Sequence, residues 1–567
     1  MTGRAPWSLP MLLPILAACG DDGATSRDTD AADTGETADT GETSDTGDAE
    51  VDVTPPAPWY ERAVMYEVFV RSFQDSDGDG IGDLRGLVNR LDYLNDGVPG
   101  QGDDLEVDGL WLMPIFVSDS YHGYDTVNYE AIDPDYGTME DFEALVAACE
   151  ARGMKVVLDL VMNHTGKGHP WFQAASSPAD PKRGWYVWRA DDPGWKQPFG
   201  SGAVWHPLGG SYYYGIFWSG MPDLNYREPA VVTAMTDIAR GWLDKGAAGF
   251  RLDAARYLVE SADGGLFEQP ETHAFWKGLR ASLEAEREAY LVGEVWTSRP
   301  AVTTYRGDGD ELHQAFDFAL QSSLVLAAER RSASPLRTEL AAVRASGAPW
   351  SYSATFLSNH DLDRPTVALD DGELGAATFV LLTLPGTPYL YYGDELGLRA
   401  SPAIGDLAKR GPMPWTAAAP HHGFSTVAPW VAFGPEADVR NVETARADPD
   451  GLLRMVQSLV RLRRAHPALA GPGLVTVIHP EPAIYAALRH DADEVLLVVA
   501  NLSDVAIGEA TLDLSGQEIV TGPTPWDLTI VFGQDAGHRV TDTAAVPIGG
   551  LAPFEGRVWR IVRSPDE

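Results

Sequence analysis

Residues 249–253 read Gly-Phe-Arg-Leu-Asp, a short apolar run that carries one arginine and stops on a carboxylate. Residues 290–294, Tyr-Leu-Val-Gly-Glu, repeat that form and stop on a glutamate. Working outward, 155–161 runs into Met162-Asn163-His164, and 354–357 runs into Ser358-Asn359-His360-Asp361. Runs of this length bounded by turn residues read as buried strands. Four more, at 64–70, 107–113, 314–318 and 389–392, bring the number to eight. Helical patterns lie between them. The pattern at 139–152 opens with Thr138 followed three residues later by Asp141, a variant of the capping box, and another covers 452–466. Strands alternating with helices imply a parallel α/β fold. Eight of them predict a (β/α)8 TIM barrel, whose active site lies at the C-terminal ends of the strands.

Two departures from the alternation define further domains. The 165–227 segment, rich in Trp, Tyr, Gly and Pro, is too long for a plain loop and predicts an inserted subdomain after strand three, domain B. From 471 to 567 the pattern becomes strands with turns between, at 495–500, 510–514 and 557–562, which predicts a C-terminal all-β sandwich. The barrel is thereby assigned to 59–470.

The barrel mouth collects Asp253, Glu294 and Asp361 from three strand ends. Several carboxylates in one mouth cannot all stay ionised cheaply, so their pKa values are driven apart, giving one acid and one nucleophile. Retaining glycoside hydrolysis has that requirement, with the carboxyl groups roughly 5–5.5 Å apart. Arg251, two residues before Asp253, can hold it ionised by charge pairing. Asp159 and Asn163 are read as supporting the site.

These motifs resemble the α-amylase family, glycoside hydrolase family 13, from about Trp59 to the C-terminus. The resemblance implies that Asp253 is the nucleophile, Glu294 the general acid and base, and Asp361 the third carboxylate that holds sugar hydroxyls. It implies that His164, His360 and His122 bind substrate with Arg251, that Tyr124 in His122-Gly123-Tyr124-Asp125 is the platform under the sugar, and that Asp406 and Arg410 frame the same pocket. Exo-acting relatives carry an Asp three residues before the platform tyrosine, which grips the chain end; here Tyr121 stands there. Met221-Pro222-Asp223-Leu224-Asn225 resembles the domain-B motif of a subgroup intermediate between α-amylases and oligo-1,6-glucosidases. The expectation is an endo-acting α-amylase that cleaves α-1,4-glucans such as starch. Oligo-1,6-glucosidase-like, neopullulanase-like or transglycosylating activity is the alternative. Non-catalytic sugar-binding relatives lack parts of the carboxylate trio, which is complete here.

Asp75-Ser76-Asp77-Gly78-Asp79-Gly80-Ile81-Gly82-Asp83 sets acids at alternate positions, with glycines allowing a tight wrap. Hard oxygen ligands at that spacing suit Ca²⁺. An EF-hand would need Glu at the twelfth position, where Gly86 stands. The loop resembles the calcium loop of oligo-1,6-glucosidase-like members, which implies a structural Ca²⁺ held by Asp75, Asp77, Asp79, the Ile81 carbonyl and Asp83. A second calcium near Asn163 is left open, since Tyr257 replaces a histidine common there.

Residues 1–18 carry Arg4 and then an apolar stretch too short to span a bilayer, the layout of a secretory signal. It ends Leu16-Ala17-Ala18-Cys19-Gly20, which resembles a bacterial lipobox and implies lipidation at Cys19. The acidic segment 19–58, with Asp-Thr-Gly-Glu-Thr at 33–37 and 39–43, has almost no apolar surface to bury and reads as a disordered linker. An extracytoplasmic protein, anchored to the membrane through its lipid or secreted, follows. The net charge of −41 repels nucleic acid and does not penalise a neutral glucan. Two cysteines cannot build a disulfide framework, and a monomer is expected.

Overall fold

The computed structural model describes residues 57–520, 525–535 and 537–563. The expected secretory segment, Cys19 and the acidic linker up to residue 56 lie outside the described residues.

Eight parallel strands close into a barrel: β1 (Met65–Val68), β2 (Gly109–Leu112), β3 (Lys155–Leu160), β4 (Gly249–Leu252), β5 (Tyr290–Gly293), β6 (Gln314–Phe316), β7 (Ser353–Phe356) and β8 (Thr387–Tyr391). Each pairs with its neighbours in sequence, and β8 closes on β1. All eight fall within the expected windows or within two residues of them. The first is shorter than expected, because Val70–Ser72 coils into a 3₁₀ turn.

Inward side chains fill the barrel. Met65, Trp111, Val157, Tyr290, Val292, Phe316, Ala354, Phe356 and Tyr389 form one buried cluster. Tyr290 and Tyr389 hydrogen-bond across it at 2.8 Å through their hydroxyls, which satisfies two polar groups that would otherwise be costly there. Gly249 starts β4 for a steric reason: a Cβ would sit 2.0 Å from the Tyr290 carbonyl oxygen.

The helix Met139–Glu150 begins with the expected box, the Thr138 hydroxyl accepting from the Asp141 N–H and the Asp141 carboxylate accepting from the Thr138 N–H. It buries Phe142, Leu145, Val146 and Cys149. The helix Leu452–Ala465 stops one residue early because Pro467 disfavours helical geometry at His466.

The 165–227 segment contains the helix Pro170–Ala175 and a three-stranded antiparallel sheet of Trp188–Arg189, Trp205–Leu208 and Ser211–Tyr214. It carries its own apolar cluster, with Val204, Trp205, Tyr214 and Ile216.

Beyond the barrel, a six-stranded antiparallel sheet starts at Gly473–Val477 and ends at Gly556–Arg563, and a two-stranded sheet pairs Ile507–Leu512 with Val546–Leu551. Val499, Leu512, Ile548 and Trp559 from the two sheets share one core. The strand expected at 510–514 ends at Leu512, because the Asp513 side chain accepts from the Ser515 N–H and turns the chain. Two buried arginines sit where this domain meets the barrel. Arg463 donates to the carbonyls of Leu384 and Leu469 at 2.8 Å and to that of Gly386. Arg489 donates to the carbonyls of Gly473, Gly471 and Thr383.

Candidate active site

Strand register assembles the site. Arg251 on β4 is in register with Asp159 on β3 and with Val292 on β5. Asp253 and Glu294 therefore stand side by side, each one residue past its strand. Arg251 is 1% exposed and bridges three carboxylates. Its Nη1 lies 2.8 Å from Asp253 Oδ1 and 3.0 Å from each Asp159 oxygen, and its Nη2 lies 3.1 Å from Glu294 Oε2. The chain turns sharply after Asp253. Ala254 adopts φ +50°, a strained value for a residue with a Cβ, and aims its N–H at Glu294 Oε2 at 3.0 Å.

Asp361 completes the trio from the end of β7. Its Oδ1 accepts from Arg410 Nη2 at 3.1 Å, and its Oδ2 accepts from His360 Nε2 at 3.1 Å. The side chains of Asp253, Glu294 and Asp361 keep 11%, 15% and 35% exposure, so these otherwise enclosed groups are the ones a substrate can reach.

Burial raises the pKa of both Asp253 and Glu294, with Arg251 pulling each down and the neighbouring carboxylates pushing each up. Burial likewise lifts Asp159, to about 7, against the pull of Arg251. Asp361 goes the other way: burial is outweighed by His360 and Arg410, which hold it well below the usual carboxylate range. The mouth thus contains one firmly ionised carboxylate and a neighbouring pair that shares one guanidinium. The shared guanidinium is compatible with the roughly 5–5.5 Å separation of retaining enzymes.

Tyr124 lies under this group. Its hydroxyl donates to Asp159 Oδ2 at 2.9 Å and meets His360 Nε2 at 2.6 Å, and its ring stacks on the His360 ring. His164 Nε2 is 3.1 Å from the Tyr124 carbonyl, and burial keeps this imidazole neutral by lowering its pKa to about 4. His122 also stacks on Tyr124, ring centroids 6.0 Å apart, and accepts the Tyr124 N–H at its Nδ1, 3.1 Å away. Arg410 joins the site through Asp361, while Asp406 is more peripheral, 3.8 Å from Arg410. Asn163 faces domain B and donates to Asp223 Oδ2 at 3.1 Å. Every expected substrate residue is therefore at this mouth.

Aromatic side chains rim the opening. Tyr121 packs against Trp430, ring centroids 5.3 Å apart, and against the Arg410 guanidinium. Trp296, 41% exposed, lies flat on Phe318 at 4.4 Å. Phe217 of domain B contacts His164 and Tyr257.

One participant escaped the sequence reading. Glu67 on β1 is buried, and its Oε1 accepts from His360 Nδ1 at 2.6 Å. The available signal was a charged residue inside a strand that is otherwise Met, Tyr and Val.

The acidic loop wraps as its glycines allow. Ligand-type oxygens of Asp75, Asp77 and Asp83 all lie within 4.8 Å of one another, while Asp79 is not part of that cluster. Asp75 also accepts from the Gly78 and Gly80 N–H groups, at 2.7 and 2.9 Å, and Asp83 caps the next helix through the Gly86 N–H at 2.7 Å. Three convergent anionic oxygens repel one another, and their donor chemistry fits a hard cation.

A family model described as "Alpha amylase, catalytic domain" matches residues 67–471. The chain is 34% identical over 469 residues to Alpha-amylase 3 of Dictyoglomus thermophilum, covering 79% of this chain and 86% of that protein. It is 34% identical over 511 residues to the trehalose synthase/amylase TreS of Mycobacterium tuberculosis, covering 78% and 82%. Among solved structures, the alpha-amylase from H. orenii superposes with a TM-score of 0.77 at 33% identity, over 88% of this chain and 99% of that one.

Proposed function

The chain belongs to the alpha-amylase family and is a glycoside hydrolase; from that premise we propose that it is an extracytoplasmic, endo-acting α-amylase that cleaves α-1,4-glucosidic bonds of starch and maltooligosaccharides with retention. The single observation that carries the chemistry is the Arg251 bridge, which sets Asp253 and Glu294 side by side at the barrel mouth.

Asp253, paired to Arg251 Nη1, attacks the anomeric carbon and forms a β-glucosyl ester. Glu294 protonates the departing oxygen, then takes a proton from water as the ester is hydrolysed. Burial and neighbouring negative charge favour the protonated form of Glu294 that the first step needs. Asp361, held ionised by His360 and Arg410, accepts hydrogen bonds from sugar hydroxyls and stabilises positive charge developing on the ring. Tyr124 supplies the apolar face beneath that sugar.

Tyr121 supports internal cleavage: an aromatic side chain packed on Trp430 offers no carboxylate to grip a chain end. Asp75, Asp77 and Asp83 would hold a structural calcium, whose charge would tie their loop together. Lipidation at Cys19 would place the catalytic domain outside the cytoplasm.

The test is product analysis on soluble starch over time. A spread of oligosaccharides at early times is expected from wild type, and Asp253→Asn should fold normally and release none. Glucose as sole early product would overturn endo action, and turnover by the Asn variant would overturn the nucleophile.

A further inference from the structure

Glu67 occupies the middle of β1, flanked by Tyr66 and Val68, and is 1% exposed. A carboxylate there is costly unless its partners are fixed. Its Oε1 accepts from His360 twice, from Nδ1 at 2.6 Å and from the backbone N–H at 3.3 Å. On the far side of the same ring, Nε2 faces Asp361 Oδ2 at 3.1 Å and the Tyr124 hydroxyl at 2.6 Å. A neutral imidazole has a single N–H, and here carboxylates meet both ring nitrogens. Only the imidazolium can donate to both.

We propose that Glu67 is a positioning residue that locks His360 as an imidazolium, so that its Nε2–H is permanently presented to Asp361 and Tyr124. The inference rests on the reading of this mouth as a retaining hydrolase, and it adds a part of the machinery that lies behind the substrate pocket. The lock gives the network a direction. Nε2–H donates to the Tyr124 oxygen, and Tyr124 then spends its own proton on Asp159 Oδ2 at 2.9 Å, which in turn holds Arg251. The orientation of the platform ring and of Asp361 is thus tied to a charge on β1, across the barrel from neither but reaching both through one ring.

The groups that face His360 come from every side. Glu67 approaches from β1, Asp361 from its own loop and Tyr124 from the loop after β2. The Trp111 ring packs edge-on at 5.5 Å, and Arg410 donates its Nε–H to the His360 carbonyl at 3.1 Å. Asp253 and Arg251 act through space on the same cluster. Burial alone would discharge the ring, but Asp361 and Glu67 outweigh it and raise its pKa to about 9.

Glu67→Gln keeps the shape and an acceptor for Nδ1–H while removing the charge. Glu67→Asp keeps the charge and lengthens the contact, and serves as the second variant if the Gln protein does not fold. The first readout needs no substrate: the ¹⁵N titration of His360 in histidine-labelled full-length protein, assigned by its loss in His360→Gln. Glu67→Gln should titrate lower by about one pH unit or more, with Glu67→Asp between it and wild type. The second readout is the pH profile of kcat/KM on a maltooligosaccharide. Its alkaline limb, where the Glu294 proton and the His360 charge are both lost, should move down, with a loss of up to about tenfold above the new limb and kcat falling more than KM rises. An unmoved ¹⁵N titration, or a loss of rate uniform across pH, would overturn the proposal. If wild type itself turns over no glucan, the hydrolase reading fails and the imidazole titration alone judges Glu67.

Discussion

Arg251→Lys isolates what the guanidinium fork does, because it preserves the charge and removes the geometry. In the native site one terminal nitrogen serves Asp253 at 2.8 Å and Asp159 at 3.0 Å, and the other serves Glu294 at 3.1 Å. A lysine ammonium is a single point on a shorter reach. It can stay with one side of this bridge and must release the other, so at least one charge-assisted hydrogen bond, that to Glu294, is lost even if the ammonium keeps Asp253 and Asp159. The loss is then at least about 1.5–3 kcal/mol. If that stabilisation acts on the transition state, kcat/KM falls by at least roughly 10–10²-fold. The acid limb of the profile should also rise, since Asp253 keeps its burial and loses part of its counter-charge. The assay is kcat/KM on a nitrophenyl maltooligoside from about pH 5 to about pH 9, with the melting temperature as a control for folding. Activity within about threefold of wild type would refute the bridge as the organising element of the site.

Glu294→Gln cannot donate a proton, so it should lose roughly 10²–10⁴-fold on starch and far less on a dinitrophenyl glycoside, whose leaving group needs no acid; equal losses on both would count against the acid role. Chelation with EDTA should lower the melting temperature, and Asp77→Asn, which removes one of the three convergent carboxylates, should abolish that response; identical melting curves with and without EDTA in wild type would remove the calcium from the account. His169 accepts the Trp171 N–H at 3.1 Å, a cap that needs a neutral ring, and burial with nearby Lys182 lowers its pKa from 6.5 to about 4. The unfolded chain therefore binds this proton first as pH falls, so the native state loses stability from about pH 6.5 downward, by up to about 3 kcal/mol near pH 4. His169→Asn should match wild type near neutrality and exceed it progressively in acid, as read by urea unfolding; a difference independent of pH would refute the assignment.

The barrel was legible because its strands are buried on both faces and so stand out as short apolar runs. The carboxylates were legible because each ends such a run. Arg251, Asp253 and Glu294 follow from strand register, a regularity that spacing along the chain reflects. Glu67 was not legible, since its partner lies 293 residues away in sequence and one charge inside a strand has no periodic signature. The 165–227 segment announced a subdomain by length and composition. Its three strands stayed hidden because they are two to four residues long and carry aromatic side chains in succession, which meet in edge-on, tilted and cation–π contacts, such as Arg183 over Trp188 at 3.2 Å, and leave no clean alternation. The trio of converging loop acids, without Asp79, depended on how the glycines wrap, which composition does not encode.

The two buried arginines at the junction with the C-terminal sheets bear on how the molecule could be cut. Arg489 belongs to the sheet domain, yet it satisfies the Thr383 carbonyl at the end of the barrel helix Asp371–Thr383. Arg463 belongs to the last long helix and satisfies carbonyls on the segment that leads into β8. A truncation after residue 470 would strip that helix end of its cap and bare the apolar surface of Phe379 that packs on Phe532. The boundary near residue 470 is thus a change of architecture and not a line of cleavage: barrel and sheets should melt in one calorimetric transition, and an engineer seeking a minimal catalyst would have to rebuild that seam first.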